Sequence, residues 1–153
     1  MHRIIFYLIL TVTSTVVGQN EEKQTAKATI DTFFEGFHKG DTLLMKSVMS
    51  DKIIMQTAFR TKQGEDKLVN DSPSEVLKAI ATRTSDQKWD ERLLSYNIQI
   101  DGNMANVWTP YEFWYNDEFH HCGVNSFQLF KNGKNWEIIY MIDTRRRASC
   151  DVK

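Results

Sequence analysis

Phe119-His120-His121-Cys122-Gly123-Val124-Asn125-Ser126-Phe127-Gln128-Leu129-Phe130, Lys131-Asn132-Gly133-Lys134 and Asn135-Trp136-Glu137-Ile138-Ile139-Tyr140-Met141-Ile142-Asp143-Thr144-Arg145-Arg146 follow one another near the end of the chain. The first and last of these segments are rich in aromatic and β-branched residues and carry their bulk at alternate positions, the period of a half-buried strand. The middle segment holds an Asn-Gly pair and turns the chain back as a hairpin. A four-residue turn pairs Phe130 with Asn135. That register sets Phe127 opposite Ile138, Leu129 opposite Trp136, Asn125 opposite Tyr140 and His121 opposite Thr144. One face of the hairpin is then an apolar floor near the turn and becomes polar toward His121.

The same period runs upstream. A strand is expected from about Arg92 to Ile100, Asp101-Gly102 makes a tight turn, and a long strand follows from Met104 to Tyr115. Asn116-Asp117-Glu118 turns that strand into the one quoted above. Val107, Thr109, Tyr111 and Phe113 share a face of the long strand. Earlier still, Lys52 to Phe59 reads as a strand, followed by a polar loop around Gly64.

Before the strands the period is helical. Ala26, Ile30, Phe33, Phe34 and Phe37 form one apolar stripe over residues 20–39, and Gly40 follows as a natural stop. Asp41 then caps a short helix from Thr42 to Met49, with Leu44 and Val48 on one side. Ser72-Pro73-Ser74-Glu75 opens a third helix with a capping box, and Val76, Leu77, Ile80 and Ala81 supply its buried face. Helices first and hairpin-linked strands after them predict an α+β fold with three N-terminal helices packed on a mostly antiparallel sheet.

The chain has 153 residues, 41% of them apolar, which suits one domain with one core. A formal net charge of −1 gives no general attraction to nucleic acid or to anionic membranes. Met1-His2-Arg3, the apolar run Ile4 to Leu10 and the small residues up to Gly18 read as a secretory signal over 1–18, cleaved near Gly18. The rival, a membrane anchor, fits less well because Thr11, Thr13, Ser14 and Thr15 interrupt a run already short of the roughly 20 residues a span needs. The mature protein is therefore expected to be exported, periplasmic or secreted, with no membrane attachment. In an oxidising compartment Cys122 and Cys150 can pair, the alternative being two unrelated thiols.

These elements resemble the nuclear transport factor 2-like superfamily. The resemblance covers residues 22–147, leaving 148–153 as a tail. It rests on Ala28-Thr29-Ile30-Asp31-Thr32-Phe33-Phe34-Glu35-Gly36-Phe37 before Gly40-Asp41, and on residues 123–130 leading into Trp136-Glu137-Ile138-Ile139. Within the superfamily, Val107-Trp108-Thr109-Pro110-Tyr111, residues 121–125 and residues 143–146 are similar to the group of candidate lumazine-binding proteins. The resemblance implies a strongly curved sheet that forms a cone with a pocket. It implies no single activity, because this fold hosts isomerases, dehydratases, hydrolases and plain binders.

The residues placed at such a pocket are Phe33, Phe37, Met55, Tyr111, Phe113, His121, Asn125 and Tyr140, with Arg146 at its mouth. Phe127, Leu129, Trp136 and Ile138 read as filled core. Trp108, Trp114, Val124, Ile139 and Met141 would form the opposite, outer face, an apolar patch that suits a homodimer. Isomerases of the superfamily take their base from an early strand. The matching stretch, Ile53-Ile54-Met55-Gln56-Thr57-Ala58, holds no carboxylate, and Asp31 is only a remote substitute. His121 is the best acid–base candidate, since an imidazole titrates near neutrality. His120 and His121, as neighbours on a strand, should face opposite ways and so share no metal. No Gly-x-Ser-x-Gly elbow or phosphate loop is present. No metal and no cofactor is implied. The expectation is an exported small-molecule binder; the alternatives are a dehydratase- or isomerase-type enzyme using His121, or an interaction module working through the outer sheet face.

Overall fold

A computed structural model of the chain describes the backbone of residues 2–148 and 150, and the side chains among these from residue 18 onward. The expected signal segment 1–18 falls almost wholly on positions whose side chains lie outside the described residues. Most of the tail, 148–153, lies outside them as well.

Helix α1 (His2–Lys39) buries the predicted stripe: Ala26, Ile30, Phe33 and Phe34 are all buried. Gly40 ends it with φ +73°, a left-handed conformation that glycine adopts without strain. Asp41 Oδ1 accepts from the backbone N–H of Leu43 and Leu44, capping α2 (Thr42–Lys46). This helix stops three residues short of the expected Met49. The carbonyl of Val48 instead accepts from Ile138 N–H, and Met49 opens strand β1 (Met49–Arg60). Sheet pairing overrides the local helical pattern there.

The polar segment after Gly64 is not only a loop. It contains a strand, β2 (Asp66–Asp71), antiparallel to β1. Five of its six residues are exposed, so it has no alternation to read. Helix α3 (Pro73–Thr82) starts at the predicted cap Ser72, and Ile80 is its buried residue. Ala81, expected on that face, is exposed.

The single strand expected at 92–100 is two, β3 (Trp89–Leu93) and β4 (Asn97–Asp101). Both pair with β5 (Met104–Tyr115). The break lies opposite Pro110 of β5, which has no N–H to give to a ladder. Strands β6 (Glu118–Asn132) and β7 (Asn135–Arg145) complete the order β2-β1-β7-β6-β5-β3, with β4 also on β5. Every pairing is antiparallel except β1 with β7. The sheet is open and curved, with the helices in its concavity: the α+β class that the order of elements implied, in the cone form that the resemblance implied.

Two irregularities reset the faces. The last hairpin turns on Gly133-Lys134, so Asn132, not Phe130, pairs with Asn135. Leu129 then pairs with Ile138, but Gln128 pairs with Tyr140, and Ile139 is the extra residue. From that bulge onward each β7 side chain points opposite to the simple alternation. Asn125 faces Asp143 rather than Tyr140, and Phe127 faces Met141. A second bulge lies at His120: Phe113 pairs with His121 while Trp114 pairs with Phe119.

Near the turn the concave face is packed solid. Phe127, Leu129 and Ile138 are wholly buried, and Phe33 and Phe34 meet the Phe127 ring edge-on with centroids 6.1 Å away. Trp136 donates its indole N–H to Thr25 Oγ1 at 3.2 Å, locking α1 onto β7.

Candidate functional site

Beyond Phe127 the sheet and the helices separate. The gap is a cavity of about 530 Å³ between α1, α3 and the far halves of β1, β3, β5, β6 and β7. Its walls are aromatic and apolar: Phe33 and Phe37 from α1, Trp89 from β3, Phe113 from β5 and Met55 from β1. Phe37, Trp89 and Phe113 form a chain of ring contacts, with centroids 5.9 to 6.4 Å apart.

The polar end is built on Gly123. A side chain there would collide with the Thr144 carbonyl at 1.7 Å and the Tyr111 ring at 2.8 Å, so glycine lets Tyr111 cross β6 toward β7. The Tyr111 hydroxyl reaches Asp143 Oδ2 at 3.2 Å and the Thr144 carbonyl at 3.0 Å. Asp143 is 5% exposed and also takes Thr57 Oγ1 at 2.7 Å and Arg145 Nε at 2.7 Å. Thr57 Oγ1 also lies 2.8 Å from Asp71 Oδ2, so its one proton serves two carboxylates. Burial, then the negative charges of Asp143 and Glu91, push the Tyr111 hydroxyl well above its ordinary pKa. It stays a neutral donor.

Asn125 donates from Nδ2 to Glu91 Oε1 at 2.7 Å, while its Oδ1 is buried with no partner. Glu91 has its carboxyl inside the cavity. Burial pushes its pKa up to about 8, against the pull of the Asn125 bond, and Asp143 adds to the rise. At neutral pH it holds its proton. His121 moves the other way. Burial first, then Arg145 and His120, bring it down to about 4, leaving a neutral imidazole. Its Nδ1 lies 2.7 Å from His120 Nδ1, and one ring donates to the other.

Of the residues read from the sequence, Phe33, Phe37, Met55, Tyr111, Phe113, His121 and Asn125 line the cavity. Two do not. Tyr140 lies on the outer face, where its hydroxyl reaches Gln56 Oε1 at 2.5 Å. Arg146 pairs with Cys122, and Arg145 lines the cavity in its place. The bulge at Ile139 accounts for both corrections, and also turns Met141 from the expected outer patch into the cavity wall. The bulge at His120 corrects a third reading, because both histidines reach the cavity. Among the described residues no set of three metal-binding side chains exists. Asp31 is outside, held by Lys27 and Tyr96.

The sequence reading missed Glu91, Asp143, Arg145 and His120. A buried carboxylate next to an arginine two positions on, Asp143-Thr144-Arg145, was a usable signal once the bulge was known. Glu91 had none, since it stands in a run of charged residues, Asp90-Glu91-Arg92. Cys122 and Cys150 are joined by a disulfide that pins the chain after β7 beside β6.

No family profile matches the sequence, and no curated protein matches it. Solved structures do. A nuclear transport factor 2-like protein with a cystatin-like fold from Novosphingobium aromaticivorans superposes with a TM-score of 0.68 at 12% identity, covering 92% of each chain. A candidate dehydratase of the same family from Streptomyces avermitilis gives 0.64 at 12% identity, over 85% of this chain and 99% of that one. A nuclear transport factor 2-like protein of unknown function from Shewanella baltica gives 0.62 at 14% identity, over 84% of this chain and 96% of that one. At such identities the likeness establishes the fold alone, a cone of the kind found in nuclear transport factor 2-like proteins.

Proposed function

We propose that the protein is exported and binds one small, mainly apolar or aromatic molecule inside the cone. The observation that carries this reading is the cavity itself, with aromatic walls and a few polar groups at one end, the make-up of small-molecule sites. Affiliation with the candidate lumazine-binding group is part of the proposal, supported by the segments 107–111, 121–125 and 143–146. Native mass spectrometry of the purified protein tests it by identifying co-purified ligands. A bound molecule of a few hundred daltons is expected. An empty protein that also shows no thermal shift with any aromatic heterocycle would overturn the reading.

A second reading, a dehydratase- or isomerase-type enzyme, is favoured by a specific observation. His121 and Glu91 line one cavity, where burial raises the pKa of the carboxyl and lowers that of the imidazole, an acid and a weak base set apart by their surroundings. The Streptomyces neighbour's description as a candidate dehydratase agrees with it. Substituting His121→Gln should abolish turnover of an identified substrate while leaving binding intact; turnover that survives removes this reading.

We also propose that the outer sheet face makes a homodimer. Trp108 is 48% exposed there and Ile54 54%. Val124 is buried and Met141 faces inward, so the patch is smaller than the sequence suggested. A Trp108→Glu variant that sediments like the parent would argue against the dimer and equally against an interaction module on that face.

A further inference from the structure

The polar end of the cavity is unevenly supplied with protons. Tyr111 has one, divided between Asp143 Oδ2 and the Thr144 carbonyl. Thr57 has one, between Asp71 and Asp143. Arg145 directs Nε at Asp143 and Nη2 at Thr57. Asn125, 1% exposed, gives an N–H to Glu91 and keeps Oδ1 without a partner. A buried acceptor of this kind is costly unless something donates to it.

We infer that the cone selects an uncharged ligand with a hydroxyl group on an otherwise apolar ring system, the hydroxyl set against the hydrogen-bonded pair of Asn125 and Glu91. This rests on the reading of the cone as a binding site. A hydroxyl fits because it both donates and accepts: it gives its proton to Asn125 and takes one from Glu91, whose burial keeps it protonated at neutral pH. An ether has no proton for Asn125. Asp71 and Asp143 outnumber Arg145 among the charges at this end, which disfavours a carboxylate, and an ammonium has no lone pair to take the proton of Glu91. The apolar body then lies against Phe33, Phe37, Trp89 and Phe113, which hold no free polar group except the indole N–H of Trp89.

Four probes of one shape separate the possibilities in calorimetric titrations of the full chain, disulfide intact, at pH 7. They are 4-phenylphenol, 4-methoxybiphenyl, biphenyl-4-carboxylate and biphenyl-4-ylmethylammonium. The phenol should bind about tenfold or more tighter than the ether, in keeping with the loss of a buried donor–acceptor pair, and tighter than either ion. In an Asn125→Leu variant the phenol should lose that advantage while the ether binds as before. If phenol and ether bind alike, the hydroxyl inference falls and the binding site stands. A charged probe that binds best overturns it too. If none of the four binds, the binding reading falls, and the inference with it. Should Asn125→Leu not fold, the comparison of phenol with ether on the unaltered protein decides alone.

Discussion

Strand β6 has two halves with the same alternation and opposite outcomes. From Asn125 toward the Gly133 turn its inward residues, Phe127 and Leu129, meet α1 and close a solid core. From Asn125 toward Glu118 its inward residues, Asn125 and His121, meet a cavity. The strand is continuous; what differs is the cover. Helix α1 spans both: Phe33 and Phe34 close on Phe127 over the first half, while Phe37 stands across the cavity from the second, beyond the bulge at Ile139 and beside the one at His120. A hollow therefore needs no special composition in the strand that lines it, only a sheet that curves away from the helix covering it.

The strongest test of that contrast is a pair of truncations. Phe127→Ala should cost about 3–5 kcal/mol in urea unfolding, because a fully buried ring leaves a void in a packed core. Phe113→Ala, already beside a cavity, should cost only about 1–2 kcal/mol, the loss of partly buried area. Equal costs would mean that the second half is packed after all. Next in size is the disulfide, which lies on the hollow half. Removing it with Cys150→Ser should cost about 3 kcal/mol, given a sequence separation of 28 residues. Hydrogen exchange should then rise around Cys122 and Arg146 before it rises around Leu129. Simultaneous loss of protection in both halves would show that they are one cooperative unit.

Smaller still, Tyr111→Phe should cost about 1–3 kcal/mol, since Asp143 and the Thr144 carbonyl lose a shared donor. A negligible change would show water standing in for the hydroxyl. The last test is pH. Glu91 has a raised pKa, so the folded state binds more protons than the unfolded one from about 4.5 to about 8, and stability falls as pH rises through that window. His121 has a lowered pKa, so its contribution is lost as pH falls below about 6.5 toward about 4. The two oppose each other below 6.5, leaving Glu91 visible alone between 6.5 and 8. There the slope should approach no more than about 1.4 kcal/mol per pH unit, and Glu91→Gln should flatten it. An unchanged slope would mean that the Glu91 carboxyl is solvated and the polar end of the cavity open to water.

The helical stripe from Ala26 to Phe37, the caps at Asp41 and Ser72 and the period-two strands were legible because each is a local pattern, set by backbone geometry and one buried face. The solvated edge strand β2 was not, since neither of its faces is buried and nothing selects its residues. Tyr111, Phe113, His121 and Asn125 line the cavity where the alternation places them, because no irregularity separates them from the apolar pattern that orients them. Tyr140 and Arg146 were misplaced for the converse reason: one extra residue at Ile139 inverts everything after it, and a bulge has no dependable mark in sequence.

Amino-acid order alone thus determined the α+β class, the three helices, the long strands and part of the cavity wall, since these follow from short-range periodicity. Only the tertiary structure decided that Asp143 and Arg145 face inward, that Glu91 meets Asn125 across β5, and that the space beside them stays unfilled. Those outcomes depend on strand register and on how far the sheet stands from α1, both of which are relations between distant segments.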